Sequence, residues 1–449
     1  MKFYQDLVNV GENERGRAEF VRQVVAEHKA TEEYRIARDA EAYYAIRNVT
    51  IEKFQRFVRD VLGRKMADSF SANYKLKNGL FRRFAIQQVQ YVLSNGVTFA
   101  KEDTKAKLGA DFDYKLQKAA KKAFVGGVSF VLWNYDHLEV FGLADTRKDP
   151  GFAPLYDEET GALKAGVRFW VIGTNERYTL YEEDGYTEYI KRKDEEVKAL
   201  VEKKAYVTST RKAAIGNEEV FGENYGAFPI MPMYANDVKQ SELVGHREAI
   251  DCYDLISSGF ANTVDEAQDF YWIIKNAGGM DDSDLMQFLD RMRVAKGASL
   301  PDGVEADAHT ISIPTEAREK LLSLLERNLY KDFQIVNVED ISSGSKTATE
   351  IRAAYQPMDD KCGDFEYCIR EYIAQLLAFL GIEDEPSFKW NRIANQSEET
   401  QMVLLAANYL DEETILNKLP WLTQEEVKVV LERKSGEEMQ RIEDVVTDA

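Results

Sequence analysis

The stretch VEDISSGSKTATEI, residues 338 to 351, carries Gly-Ser-Lys-Thr, a string with the residue types of a phosphate-binding loop. Such a loop needs Gly, four residues, Gly, then Lys followed directly by Ser or Thr, so that consecutive backbone N–H groups cradle the phosphates. Here Ser345 stands between Gly344 and Lys346, and Glu339 occupies the position of the earlier glycine. The stretch fails the test twice, so an NTP-binding enzyme built on it remains only as an alternative reading. What is left to explain is a small, polar segment between two helical patterns.

Other chemistry is equally hard to seat. The four histidines, His28, His137, His246 and His309, include no pair at metal-binding helical spacing, and each reads as structural or exposed. Cys252, Cys362 and Cys368 form no C-x-x-C pair, and a reducing compartment is the default. There is no G-x-S-x-G elbow and no dinucleotide fingerprint. Asp281, Asp282 and Asp284 could suggest a cation site, but Asp and Ser ahead of an apolar-periodic run are explained more simply as an N-cap and first-turn charges. With 78 carboxylates, acidic pairs arise by chance and nominate no acid and base. The expectation is no catalytic residue, no metal and no cofactor.

The composition sets wider bounds. A chain of 449 residues that is 44% hydrophobic can bury a sizeable core in about two to four structural units. Its 58 Lys and Arg against 78 Asp and Glu give a formal charge of −20, which is not built to grip nucleic acid electrostatically. The amino terminus has charges interrupting every apolar run, and nothing later approaches the ~18 apolar residues of a spanning helix. The expectation is a soluble chain with no membrane partner.

The elements that would position any site follow from periodicity. Residues 52 to 96 carry helical spacing, with Leu80, Phe84, Val89 and Val92 on one face and Asn95-Gly96 as the stop; Arg82 and Arg83 read either as a solvated face or as a phosphate contact. Residues 113 to 126 look helical, and GGVSFVLWNY, LEVFGL, VRFWVIG, RYTLYEEDGYTEYIKR and KAYVTST read as strands. Pro229 and Pro232 then prevent helix. From Ser241 to Glu266 a stripe through Leu243, Ile250, Tyr253, Ile256, Phe260 and Val264 predicts ~39 Å of helix. A small insert with strands FYWIIKNA, RVAKGASL and HTISIP separates it from a second helix after Pro314, with Leu321, Leu324, Leu325 and Leu329 on one face. Residues 347 to 382 read as helix that Pro357 should kink or break unless it falls in a first turn, and that Gly381 can close. SFKWNRI reads as a strand, and residues 397 to 437 as helix broken at LPWL. The class is α+β.

Several separated stretches, in order, resemble the portal proteins of tailed bacteriophages, in the branch typical of long-tailed phages of Gram-positive hosts. They are NGLFRRFAIQQVQYVLSNGVTF, APLYDEETGALKAGVRFW, FPIMPMYANDVKQSELVGHREAIDCYDLISSGFANTVDEAQDFYWIIKNAGG and the opening loop before its helix. The third is the most specific, with Ile-Asp-x-Tyr at Ile250 to Tyr253 and Ser-x-x-x-Asn at Ser258 to Asn262. The sequence departs from the pattern after Gly344, where SKTATEI replaces a more apolar helix start.

The resemblance implies a portal fold with residues 1–240 as the first part of a wing, 241–266 as stem helix 1, and 267–314 as a β-rich clip. Residues 315–333 would be stem helix 2, 334–347 a tunnel loop, 348–395 the rest of the wing, and 396–449 a helical crown. It implies a non-enzymatic ring, a dodecamer, at one capsid vertex of the virion, assembled in the host cytoplasm. The ring would conduct double-stranded DNA in packaging and ejection and help nucleate the procapsid. Implied partners are the terminase, major capsid and scaffolding proteins, and a neck or adaptor protein. A ring-forming capsid or neck adaptor is the other alternative, against which the length of 449 residues counts. Within this picture Ser342, Ser343, Gly344, Ser345 and Lys346 would face DNA, with Gly344 giving backbone freedom. Lys346 either touches phosphate or merely caps a helix start. Arg291 and Arg293 would dock partners at the clip. A largely acidic pore wall would let a duplex slide, since DNA carries about one charge per 1.7 Å of axis.

Overall fold

The computed structural model describes residues 2–59, 64–67, 73–144, 150–212, 218–266, 271–275, 281, 283–284, 286–288, 291, 305–309, 315–339, 348–391, 396–419, 421–423 and 426–436. The chain divides into two compact units. The larger comprises Met1–Val49, Gly79–Glu248 and Asn328–Ala449, and the smaller comprises Thr50–Asn78 and Ala249–Arg327.

The chain opens with helices α1 (Tyr4–Val10), α2 (Glu14–Ala30) and α3 (Glu32–Tyr44). Asn13 caps α2 by accepting from Gly16 N, and Thr31 caps α3 by accepting from Tyr34 N at 3.2 Å. A short α4 (Val49–Lys53) precedes the hairpin of β1 (Phe57–Arg59) and β2 (Lys65–Ala67), paired Phe57 to Ala67. The helical spacing read from residue 52 onward therefore holds only in α5 (Leu80–Leu93), where Leu80, Phe84, Val89 and Val92 are all buried. Phe54, Phe57 and Met66 supplied apolar residues upstream, but they fall on no helical face and stay exposed.

Next come β3 (Val97–Phe99), α6 (Glu102–Lys107) and α7 (Phe112–Gly126). Gly127 ends α7 at φ +85°, and a Cβ there would lie 2.6 Å from the Gln240 carbonyl carbon, so both conformation and space require glycine. The strand-rich stretch holds β4 (Val128–Asn134), β5 (His137–Gly142), β6 (Gly151–Tyr156), β7 (Leu163–Ile172), β8 (Asn175–Glu182), β9 (Gly185–Lys191), β10 (Lys198–Ala199), β11 (Val207–Lys212), β12 (Glu218–Glu223) and β13 (Ile230–Tyr234). An antiparallel sheet of order β10-β9-β8-β7-β6 and a second of order β13-β4-β5 share one core, in which Phe130, Phe141 and Phe152 pack with Val167 and Leu180. Pro232, which excludes helix here, lies within strand β13. It is tolerated because β13 is an edge strand and needs no second ladder at that N–H.

Helix α8 (Arg247–Glu266) starts later than its apolar stripe predicts, because Ser241 is fixed outside the helix: its Oγ donates to Val125 O at 2.6 Å and accepts from Leu243 N. Strands β14 (Tyr271–Lys275) and β15 (Glu305–His309) pair antiparallel. The expected strand RVAKGASL lies outside the described residues, as does HTISIP beyond His309. Helix α9 (Thr315–Asp332) buries Leu329 but leaves Leu321 and Leu324 exposed. Helix α10 (Ala348–Phe379) runs through Pro357 without a break, and Gly381 follows it at φ +66°. A proline removes one N–H of the ladder, a local loss that burial of Tyr355, Met358, Cys362 and Phe365 outweighs. The chain continues with β16 (Pro386–Phe388), paired with β3, then α11 (Gln396–Ala406), α12 (Glu412–Lys418) and helix at 426–436. The result is an α+β fold, and no described helix is long and apolar enough to cross a membrane.

Candidate functional site

The opening loop is bounded by described residues on both sides, Glu339 before it and Ala348 after it. Ser342, Ser343, Gly344, Ser345 and Lys346 themselves lie outside the described residues, as does Arg293. Arg291 is helical and exposed, with its guanidinium 3.5 Å from Gln287 Oε1. The structure thus fixes the loop's anchors.

Both anchors rest on α5. Its residues Arg83, Phe84, Gln87 and Tyr91 follow the spacing that places side chains along one helical face. Arg83 Nη1 donates to Tyr330 Oη at 2.8 Å, and Gln87 Nε2 donates to Val336 O at 2.7 Å, so the chain leaving α9 is held at two points. Phe84 packs on Tyr330 and Phe333, with ring centroids 5.0 and 4.7 Å apart. On the far side of the loop, Tyr91 stacks on Tyr355 of α10 and its hydroxyl donates to Asp359. The structure gives Arg83 a tyrosine partner and sets the Arg82 guanidinium over the Tyr44 ring, at 5.8 Å, so both arginines have intramolecular contacts.

Lys361 ties the anchors to the turn before α8. Its ammonium donates to Glu242 Oε2 at 2.7 Å and to Phe333 O at 3.1 Å, above the Phe124 and Phe333 rings. Glu242 also accepts from Asn236 Nδ2 at 2.9 Å, so this nearly buried pair is hydrogen-bonded on both sides. His246 packs on Phe333 at 4.2 Å, and burial together with the Lys361 charge lowers its pKa. Next to Lys361, burial pushes the Cys362 thiol up to about 12, which makes it inert. Nothing in the sequence marks Lys361, because its partners lie 28 and 119 residues away.

In the smaller unit the resemblance motif acquires a physical role. Asp254, Ser258 and Asn262 recur every fourth residue of α8 and are buried, although they are polar. Beside them runs an extended segment: Asn78 N donates to Asp254 Oδ1 at 2.8 Å, Leu76 N to Ser258 Oγ at 2.9 Å, and Tyr74 N to Asn262 Oδ1 at 2.7 Å. Two extended residues rise ~6.7 Å and four helical residues ~6.0 Å, so the two ladders run nearly in step. Thr50 Oγ1 adds a 2.6 Å bond to Asp251. The i, i+4 recurrence of polar residues is visible in the sequence, but the apolar stripe on the same helix is the stronger signal and masks it.

Other candidate residues make intramolecular contacts. Asp281 accepts from Ser283 N and Asp284 N at 2.9 Å, and Asp284 accepts back from Asp281 N, which is the capping arrangement expected of them; Asp282 lies outside the described residues. These backbone bonds from Asp284 and Ser283, with a side-chain bond from Ser283, hold the Asp281 carboxyl below its usual range. His28 is buried against Leu143 O, and desolvation lowers its pKa to about 4. Among the described residues no cluster of His, Cys, Asp and Glu could hold a metal.

Comparison with known proteins adds the family. The portal protein of Bacillus phage SPP1 is 24% identical over 440 residues, covering 90% of this chain and 82% of its own. The portal protein of Clostridium phage phiCD119 is 27% identical over 222 residues, covering 47% of this chain; the chain thus spans about half, 49%, of that relative. Solved structures that resemble the fold include the virion of a native gene transfer agent particle, with TM-score 0.47, 12% identity, and coverage of 77% of this chain and 91% of that one. The neck of the native particle computed with C12 symmetry has TM-score 0.44, 13% identity and the same coverage. Residues 23–444 match the model of the family described as phage portal protein, SPP1 Gp6-like, and the chain belongs to that family.

Proposed function

We propose that the protein assembles as a ring, a dodecamer, at one capsid vertex and serves as the channel through which DNA is packaged and later ejected. The observation that carries this reading is the family match, which runs over residues 23–444 instead of over one motif. It supports a portal and gives no support to an NTP-binding enzyme at Gly344 to Thr347, or to a short adaptor. The reading assigns the chain no catalytic step. Its partners are the terminase, capsid and scaffolding proteins, and a neck protein, in the host cytoplasm during assembly and in the virion afterwards.

In this reading α8 and α9 belong to the stem, the residues between them to the clip, and residues 334–347 to a tunnel loop whose Ser342, Ser343, Gly344, Ser345 and Lys346 meet passing DNA. Two anchored ends support that assignment. A loop that touches a moving duplex needs free backbone between fixed points, and Gln87, Arg83, Lys361 and Tyr91 supply the fixed points. Native mass spectrometry with negative-stain images tests the ring: closed assemblies of about a dozen copies with a central hole are expected. Lys346→Glu tests the loop, with shortened packaged DNA expected; unchanged packaging and unchanged cross-linking to DNA reject the contact. Reversing charge at Arg291 and Arg293 should weaken terminase binding, and intact binding removes both from docking.

A further inference from the structure

The smaller unit shows its apolar residues where a self-sufficient unit would hide them. Among its described residues only Ile51, Ile250 and Phe288 are buried apolar side chains, whereas Phe54, Phe57, Met66, Tyr74 and Leu76 are 41% to 53% exposed. All five lie within the strap Thr50–Asn78, of which the segment Tyr74 to Asn78 is fastened to α8 by the polar ladder. Fastening through backbone N–H groups explains the exposure: the ladder uses the main chain of Tyr74 and Leu76 and leaves their side chains at the surface. A second exposed set, Val264 of α8 with Leu321 and Leu324 of α9, is 42% to 43% exposed in the same unit.

Charge distinguishes the two sets. Residues 50–78 carry seven Lys and Arg against three Asp and Glu, in a chain whose overall charge is −20. The α8 and α9 residues of the same unit, 249–266 and 315–327, carry seven Asp and Glu against three Lys and Arg. Strap against strap would oppose like charges, whereas strap against helices is complementary in both charge and apolarity. Two different complementary faces on one subunit make a head-to-tail contact, the kind that closes into rings.

We infer that the exposed strap side chains Phe54, Phe57, Met66, Tyr74 and Leu76 form the face on which the α8/α9 face of the next copy of this chain packs. This rests on the ring reading and adds which residues close the ring. A basic, aromatic-bearing strap also has the composition of a nucleic-acid surface. Two of its cations are already engaged within the strap, however, Lys75 with Glu52 O at 2.8 Å and Lys77 with the Glu52 carboxylate at 3.2 Å. A third, Lys65, lies over the Phe57 ring at 3.9 Å.

The test uses full-length protein and two double variants, Tyr74→Glu with Leu76→Glu on the strap, and Leu321→Glu with Leu324→Glu on α9. Native mass spectrometry should show wild-type rings and, for each variant alone, a rise of at least tenfold in the concentration needed for rings. Mixed one to one, the variants retain one good face each and should give a heterodimer and no ring. If wild type itself forms no ring, the ring reading fails. If wild type forms rings and both variants do so at the same concentration, the strap assignment is overturned and the ring reading stands. Normal rings with lost DNA retention would overturn it in favour of a DNA surface. To guard against misfolding, Tyr74 can be replaced by p-benzoylphenylalanine, a substitution at an exposed aromatic. In mixed light and 15N-labelled rings, cross-links should join residue 74 to residues 249–327 of another copy. Cross-links confined to its own copy overturn the inference.

Discussion

The two units of the chain are held together by opposite means. The larger buries aromatic residues against one another, with Phe130 and Phe152 centroids 4.6 Å apart and Phe84 packed on Phe333. The smaller buries Asp254, Ser258 and Asn262 and directs them at backbone N–H groups, while Phe54, Phe57, Tyr74 and Leu76 among its described residues stay exposed. Apolar packing is non-directional and tolerates any well-filled arrangement, whereas a hydrogen-bond ladder fixes one register of strap against helix. A unit built in the second way has its geometry set in advance and its stability left for a partner to complete.

That contrast can be broken most severely from the core. Phe152→Ala should cost about 3–5 kcal/mol in denaturant unfolding, because it empties a filled space next to Phe130 and Phe141. Lys361→Met should cost a similar ~3–5 kcal/mol by leaving Glu242 buried without its charge partner; adding Glu242→Gln should recover part of that loss, and no recovery would show that packing of the lysine stem matters more. Asp254→Ala should cost about 1–3 kcal/mol by stranding the Asn78 N–H. Its sharper signature is hydrogen exchange: amides 74, 76 and 78 should lose protection while those of β7 and β8 keep theirs. If all amides respond equally, the ladder is not a local device.

A smaller effect comes from pH. His28 has a folded pKa of about 4, below its ordinary 6.5, so between those values the unfolded chain binds more protons. Stability from this group is complete above pH ~6.5 and declines as pH falls toward 4, by at most about 3.5 kcal/mol at 1.4 kcal/mol per unit. His28→Gln should flatten that part of the stability curve measured by thermal unfolding; an unchanged slope would assign it elsewhere. The smallest effect is expected at Phe57→Ser, within about 0.5 kcal/mol for isolated subunits, since the ring is half exposed. A larger loss in the isolated subunit would mean that the strap has a core of its own.

What could be read in advance depends on how far apart the partners lie. Helix α7 and the hairpin from β8 to β9 are readable because apolar periodicity and turn residues are local signals. The failed phosphate loop can be rejected from three positions. The apolar stripe of α5 places that helix but does not reveal that it anchors the loop, because Gln87 meets Val336 across 249 residues. Strand β6 escapes a local reading because Gly151 to Tyr156 is short, and it becomes a strand only by pairing with β7.

Local spacing and residue type were enough for the α+β class and the amphipathic helices, while the place among phage portal proteins came from resemblance and the family match. They were not enough to show that Pro232 could lie in a sheet, that Pro357 could lie in a helix, or that three polar residues of α8 would be buried. Those outcomes came from packing between distant segments. Each depends on whether a given N–H or carboxylate finds a partner, and those partners are supplied by chain more than 170 residues distant in the case of the ladder.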